Sequence, residues 1–327
     1  MKYIFGPVPS RRLGRSLGID PTPASTSRIP PRAGTSPRTR KICNWNCVYC
    51  QLGPTRPFTM SRATFFPVPD MLVELRDALG SVPPREIDWI TFVGSGEPTL
   101  NLDLGAMLRG VKAMTDIPIA VITNGSLLSS PAVRKDISLA DAILPTLDAG
   151  NAHLFHRINR PPSRFGFEDH VNGLISTRKE FSGKLWLEVM LIAGLNDGEA
   201  ALWELAAAMA RVRPDQIHIL LPNRPPAENW VLPADEEGLL RASSILGEIA
   251  PVLHPHEERG AFDIGHETDP LDAAAAILAR HPMSDQELRI ALARRGVIDT
   301  DAAMRSLLDS GRAVEVRRFG RRFWRHP

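Results

Sequence analysis

Cysteine is nearly absent from this chain, and its placement is uneven. There are 3 cysteines in 327 residues, Cys43, Cys47 and Cys50, all inside the segment CNWNCVYC. An odd, crowded set excludes a disulfide framework, which needs even numbers spread along the chain. Crowded thiols in a reducing compartment read instead as metal ligands. Long apolar runs are also missing. No stretch approaches the ~18 uninterrupted apolar residues of a membrane-spanning helix. The opening MKYIFGPVPSRRLG lacks the apolar core of a secretory leader, so the expected location is cytoplasmic and no membrane partner is expected. Charge of one sign is lacking too: a net charge of +2 selects no partner. No internal repeat is visible.

What is present is a rhythm. The run Leu17-Gly18-Ile19 reads as a first strand. Further strand-like runs are DWITFV (88–93), IPIAVIT (117–123), DAILPTL (141–147), LWLEVMLI (185–192) and QIHILL (216–221). Helical apolar spacing separates them at 70–79, 102–114, 167–181, 199–212 and 234–249. Strands that alternate with helices of this length form parallel βαβ units, and buried parallel strands are near-continuous apolar runs. Six such units fall short of a closed eight-unit barrel. The fold class expected is α/β: a partial (β/α)6 TIM-like barrel over residues 1–254. Segment 21–41 is rich in Pro, Ser, Thr and Arg and cannot bury a core, so it reads as a flexible insertion.

After a linker at 255–270 the pattern changes. Helices are expected at 271–280, at 284–295 behind the capping box Ser284-Asp285-Gln286-Glu287, and at 300–310. The alternating VEVRRFGRRFW (314–324) reads as a hairpin. Three helices and a hairpin within 271–327 suggest a small C-terminal winged-helix domain of the helix-turn-helix type. Its hairpin carries Arg312, Arg317, Arg318, Arg321, Arg322 and Arg325, with Phe319, Phe323 and Trp324 interleaved. Such a stripe suits a nucleic-acid backbone with stacked bases, or simply a solvated wing.

The spacing C-x3-C-x2-C lets three thiolates ligate three irons of a cubane and leaves the fourth iron open, as a catalytic centre requires. A three-thiolate zinc site completed by a histidine, or incidental cysteines, are the competing readings. The remaining candidates sit near strand ends, where α/β folds carry chemistry. Gly94 and Gly96 permit close backbone approach to a ligand, and Glu97 can accept a charge-assisted hydrogen bond from an ammonium group. Gly94–Pro98 can equally be a plain strand-to-helix turn. Asn124 suits a turn and also presents a donor and an acceptor. Asp148 can reach a ribose hydroxyl or cap the next helix. Glu188, inside an apolar run, needs a partner or an aqueous cavity. Arg224 suits a carboxylate, a phosphate or a surface salt bridge. His153, His156 and His170 receive no role.

CNWNCVYC resembles the signature of the radical S-adenosylmethionine (SAM) superfamily, with aromatic Tyr49 before the third cysteine. FGPVPSRRLGRSLGID, CVYCQLG, TFVGSGEPTLN, VITNGSL, PTLDAG, NRP, LWLEVMLIAGLND and NRPPAENW resemble the branch that includes the tRNA wyosine-base synthases, over roughly residues 1–250. The resemblance implies a [4Fe–4S] cluster on Cys43, Cys47 and Cys50 with SAM chelating the open iron. It implies adenine near Tyr49, the SAM amino group at Gly94, Gly96 and Glu97, and SAM or substrate near Asn124, Asp148 and Glu188. It further implies a flavodoxin- or ferredoxin-like one-electron donor. The activity implied is reductive cleavage of SAM to a 5′-deoxyadenosyl radical, which abstracts hydrogen from an unidentified substrate, with RNA as one candidate. The archaeal wyosine synthases carry further cysteines for a second cluster. This chain has none left, so wyosine formation by that route is not expected. The competing function is a metal-sensing winged-helix DNA-binding regulator without catalytic activity.

Overall fold

The structure, a computed structural model, describes residues 3–10, 12–23, 25–26, 39–55, 57–82, 86–255 and 269–327. Most of the expected 21–41 insertion and of the 255–270 linker lies outside the described residues.

Strands β1 (Ile4–Ser10) and β2 (Gly14–Ile19) form an antiparallel pair. The short pair β3 (Ser25–Thr26) and β4 (Thr39–Arg40) makes a separate two-stranded sheet. From β2 onward the main sheet is parallel. It continues through β5 (Trp89–Phe92), β6 (Ile119–Thr123), β7 (Ala142–Pro145), β8 (Lys184–Met190), β9 (Gln216–Leu220) and β10 (Val252–Leu253). The eight strands follow the order β1-β2-β5-β6-β7-β8-β9-β10, a curled sheet open at both edges, hence a half-barrel. The connecting helices are α1 (Val68–Ser81), α2 (Leu104–Lys112), α3 (Pro131–Ile137), α4 (Ala152–Ile158), α5 (Phe167–Glu180), α6 (Glu199–Val212) and α7 (Glu236–Gly247).

All six strands read from the sequence are present. Two more flank them, and each was hidden for a physical reason. β1 carries Pro7 and Pro9, which break a central strand but are tolerated at an edge. β10 has only 2 residues. Helices α3 and α4, with 7 residues each, are too short to show a helical period.

Side-chain alternation sorts the sheet into two faces. Leu185, Leu187, Val189, Ile217, Ile219, Ile90 and Phe92 point outward into the main core under the helices. The inner face is smaller and more polar. Leu13, Ala120, Ala142 and Leu144, with Trp89, Ile122 and Trp186, form its apolar floor. Beside that floor Ser16 and Thr91 hydrogen-bond to each other. Small residues there leave open space above, towards the strands' C-terminal ends.

The C-terminal segment builds a separate apolar cluster. It comprises α8 (Pro270–Leu278), β11 (Met283–Ser284), α9 (Asp285–Arg294), α10 (Thr300–Asp309), β12 (Val314–Arg318) and β13 (Arg321–Arg325). The strand order is β11-β13-β12, so β13 is central. The Ser284 capping box is formed, with Glu287 closing it. Phe323 and Trp324 are buried, each 3% exposed. The expectation that they stand free to stack on bases is therefore corrected: Trp324 packs into the C-terminal cluster, and Phe323, on the other face of the central strand, is buried too. Val8 of β1 packs against this C-terminal cluster.

Candidate active site

Above the barrel floor lies a cavity of about 360 Å³, lined by every candidate site residue read from the sequence. Cys43, Cys47, Cys50, Tyr49, Gly94, Gly96, Glu97, Asn124, Asp148, Glu188 and Arg224 all face it. These residues come from segments that span 182 positions of the chain, from Cys43 to Arg224, which only the barrel brings together.

The cysteine loop is tied down on each side. Val48 N donates to Ile158 O at 2.9 Å, Glu97 N to Ile42 O at 2.8 Å and Thr59 N to Cys43 O at 2.8 Å. Trp45 anchors it from beneath, edge-on to Phe155 and to His170. Burial lowers His170 to about 4, so at neutral pH it is a neutral ring whose Nε2 meets Thr146 O at 2.9 Å. All three cysteines are free thiols. Burial raises the Cys43 thiol to about 11 and raises Cys47 further. A coordinated cation reverses that balance and removes the proton. Each sulfur has a side-chain N–H donor beside it. Asn124 Nδ2 lies 3.9 Å from Cys43 Sγ, Asn159 Nδ2 3.8 Å from Cys47 Sγ, and Lys41 Nζ 3.1 Å from Cys50 Sγ. Burial alone lowers the affinity of Lys41 for its proton, but the charges of Cys50, Cys43 and Cys47 outweigh it and the net shift is upward. At an effective dielectric of about 20, unit charges ~4 Å apart interact by about 4 kcal/mol. A neutral hydrogen bond contributes only about 1 kcal/mol, so the ammonium dominates this set of donors.

Glu97 is 2% exposed, and burial pushes its carboxyl upward. Its Oε1 accepts from Thr99 N (3.0 Å), Thr99 Oγ1 (2.6 Å) and Thr123 Oγ1 (2.5 Å); Oε2 accepts from Asn124 N (2.7 Å). Glu97 thus caps the 3-10 turn Pro98–Leu100 and clamps the end of β6. The preceding glycines also have a cause within the protein itself. A Cβ on Gly94 would lie 1.9 Å from Asp20 Oδ1, and one on Gly96 would lie 1.7 Å from Ile42 O. They are small so that this turn can nest against the end of β2 and against the cysteine loop.

Asn124 forms the expected turn, with Ser126 N donating to its Oδ1 at 2.9 Å. Its Nδ2 also reaches Asn44 Oδ1 in the cysteine loop at 2.9 Å. Asp148 does not cap the next helix; Asn151 does, accepting from Leu154 N at 2.8 Å. Asp148 instead accepts from Tyr49 OH, Asn159 Nδ2 and Met190 N, each at 2.7 Å. Burial raises its pKa to about 6 against those hydrogen bonds.

Glu188 finds its partner in Arg12, an ion pair inside the cavity. Arg224 pairs bidentately with Glu287 of the C-terminal segment, at 2.5 and 2.7 Å. Arg280, just beyond α8, pairs with buried Asp20 at 2.9 Å and lies over the Phe5 ring. Arg280 and His281 complete the cavity wall. Sequence reasoning missed Arg12, Asp20, Lys41, Asn159 and Arg280 as site residues. Arg12 and Asp20 lie in the quoted segment FGPVPSRRLGRSLGID, Asn159 in NRP and Lys41 two positions before Cys43; Arg280 had no local signal.

With this geometry the comparisons are unambiguous in class. The radical SAM superfamily model matches residues 39–206, and the chain belongs to that superfamily of enzymes. Its members generally use SAM and an iron–sulfur cluster. Among curated proteins it is similar to a UPF0026 protein of Methanocaldococcus jannaschii, 30% identical over 330 residues, covering 99% of this chain and 96% of the relative. It is 40% identical over 223 residues to a protein named GTPase Obg from Brachyspira hyodysenteriae, covering 68% of this chain but spanning only 30% of that relative. A radical SAM methyltransferase structure from Sphaerobacter thermophilus shares the fold, with a TM-score of 0.53 and 19% identity over 75% of this chain and 67% of that one. The reading as a regulator without catalytic activity gains no support from these relatives. Among the described residues no helix is long and apolar enough to cross a membrane.

Proposed function

We propose that this chain holds a [4Fe–4S] cluster on Cys43, Cys47 and Cys50 and cleaves SAM reductively in the barrel cavity. The observation that carries the reading is the convergence of three free thiols with Glu97, Asn124, Asp148 and Glu188 on one cavity. The donor set fits the group: soft sulfur ligands, a side-chain N–H donor at each sulfur, and a lysine to offset negative charge. When bound, the cluster and SAM supply a one-electron cleavage that yields a carbon radical able to take hydrogen from substrate.

The protein's part is binding, orientation and exclusion of water. Glu97 Oε2 accepts a single hydrogen bond in the structure, so it keeps acceptor capacity for an ammonium group. Asp148 is already engaged by three donors, and its role in this reading is to fix Tyr49 beside the cysteines rather than to hold a ribose. Arg12 neutralises Glu188, so the substrate side of the cavity carries no isolated buried charge.

Residues 271–327 are read as a winged helix-turn-helix domain that caps the cavity, joined to the 1–254 barrel by the 255–270 linker. The pairing of Arg280 and Arg224 across the two segments favours a cap over a nucleic-acid reader. So does the use of Arg312 and Arg322 on Asp272 and Asp285. The electron comes from an external one-electron carrier of the flavodoxin or ferredoxin kind.

Anaerobic reconstitution with iron and sulfide tests the proposal. The expected result is about four irons per chain and reductant-dependent release of 5′-deoxyadenosine from SAM. Replacing any one of Cys43, Cys47 or Cys50 with Ala should abolish both. Zinc uptake without 5′-deoxyadenosine would overturn the reading.

A further inference from the structure

We infer that Lys41 is a positioning residue that sets the reduction potential of the cluster, and so how strong an electron donor this enzyme requires. The inference rests on the cluster assignment proposed above. Three side chains point an N–H at the three sulfurs, but they are not equivalent. The two amides, Asn124 and Asn159, stand 3.9 and 3.8 Å from Cys43 and Cys47. Lys41 Nζ is 3.1 Å from Cys50 Sγ and is the one of the three that carries a charge.

The ammonium is held in place by the loop it serves. Lys41 Nζ also donates to Gly53 O at 2.7 Å, and Gly53 N donates back to Cys50 O at 3.0 Å. Gly53 adopts φ +79°, a left-handed conformation that glycine adopts freely, so the turn presenting that carbonyl is specific to this residue. Lys41 is thus pinned between the sulfur of the third cysteine and a carbonyl three residues beyond it.

The redox consequence follows from charge. One electron passes from the external carrier to the cluster; the carrier is oxidised by one electron, the cluster is reduced by one, and no proton is transferred. The cluster gains a negative charge in that step. A fixed cation in hydrogen-bond contact with a ligating sulfur stabilises the reduced form more than the oxidised form. Hydrogen bonds to the sulfurs act in the same direction, and a charged donor acts more strongly than a neutral one.

The test is an anaerobic redox titration of the reconstituted full chain, followed by the electron paramagnetic resonance signal of the reduced cluster. Lys41→Met should lower the midpoint by at least a tenfold change in the reduction equilibrium, about 59 mV for one electron. Lys41→Gln, which keeps a donor without the charge, should also lower it, by less. Lys41→Arg should stay near the wild-type value. Equal midpoints in the wild type, Lys41→Gln and Lys41→Met would overturn the inference. So would loss of the cluster from all three variants, which would make Lys41 a residue that holds the cluster rather than tunes it. If Lys41→Met alone loses the cluster, the comparison of Lys41→Gln with wild type decides in the same way. Failure of the wild-type chain to assemble any iron–sulfur cluster would instead defeat the underlying cluster assignment, a separate result read from iron content before any titration.

Discussion

The two sides of the cavity are held by different forces. On the cysteine side, polar groups meet partners within the barrel: Asp148 takes donors from Tyr49, Asn159 and Met190, and Glu97 takes four from Thr99, Thr123 and Asn124. On the mouth side the contacts are arginine–carboxylate pairs. Two of them, Arg280 with Asp20 and Arg224 with Glu287, reach from the barrel to the C-terminal segment. The first kind of wall is rigid because its groups sit on adjacent strand ends. The second joins the barrel to the C-terminal segment, where these ion pairs add to the packing of Val8 against the C-terminal cluster. The three thiols lie on the first side, and the ion pairs to the C-terminal segment lie on the second.

The sharpest way to break this contrast is Arg280→Ala. It leaves Asp20, fully buried, without its cation, although Ser95 and Thr22 still donate to it. Removing one partner of a buried pair costs about 3 kcal/mol or more. Thermal unfolding should fall accordingly, while iron uptake by the remaining protein stays intact; if iron uptake falls instead, the two walls are not independent.

Tyr49→Phe probes the other wall and should have a smaller effect. Asp148 loses one of three donors, and a hydrogen bond to a charged group contributes about 2 kcal/mol. The expected signature is reduced iron retention per chain, with the C-terminal segment still as resistant to proteolysis as in wild type. Loss of that resistance would contradict the separation.

The mildest probe is acid. Glu287 has its pKa lowered from 4.5 to about 2: burial raises it, but the hydrogen bond and charge of Arg224 prevail. A depressed carboxyl stabilises the fold fully above about 4.5, and this contribution is lost as pH falls through the folded-state value near 2, because the unfolded chain binds the proton more readily. Stability measured between these limits should therefore rise with pH. Glu287→Gln should flatten that slope and lower stability at neutral pH, where the wild-type contribution is fully present, though by less than Arg280→Ala because Glu287 is partly exposed. An unchanged slope would show that the pair is not the element that seats the C-terminal segment.

Much of this arrangement was legible in the sequence because parallel strands are buried on both faces. DWITFV, IPIAVIT and LWLEVMLI are apolar runs for that reason, and their ends mark the cavity rim. Cys43, Cys47, Cys50 and Glu97 were legible because their chemistry is written in local spacing. The partners were not. Arg280 and Asp20 lie 260 positions apart, and Asn159 and Cys47 lie 112 apart, distances over which no pattern operates. At Gly94 and Gly96 neighbouring protein atoms already forbid a side chain, a packing constraint that local sequence does not reveal. The hairpin misled. Its interleaved arginines suggested rings available for stacking, but β13 is a central strand in which both Phe323 and Trp324 are buried.

Glu287 has one more consequence. The carboxylate that grips Arg224 is the same one that accepts the Ser284 N–H at 2.6 Å to close the capping box of α9. Docking and helix initiation therefore share a single side chain. Lifting the C-terminal segment off the barrel frees that carboxylate from its arginine and loosens the start of the helix behind it, and fraying of that first turn would in turn weaken the grip. The two contacts share one carboxylate and are thermodynamically linked, so weakening either one weakens the other.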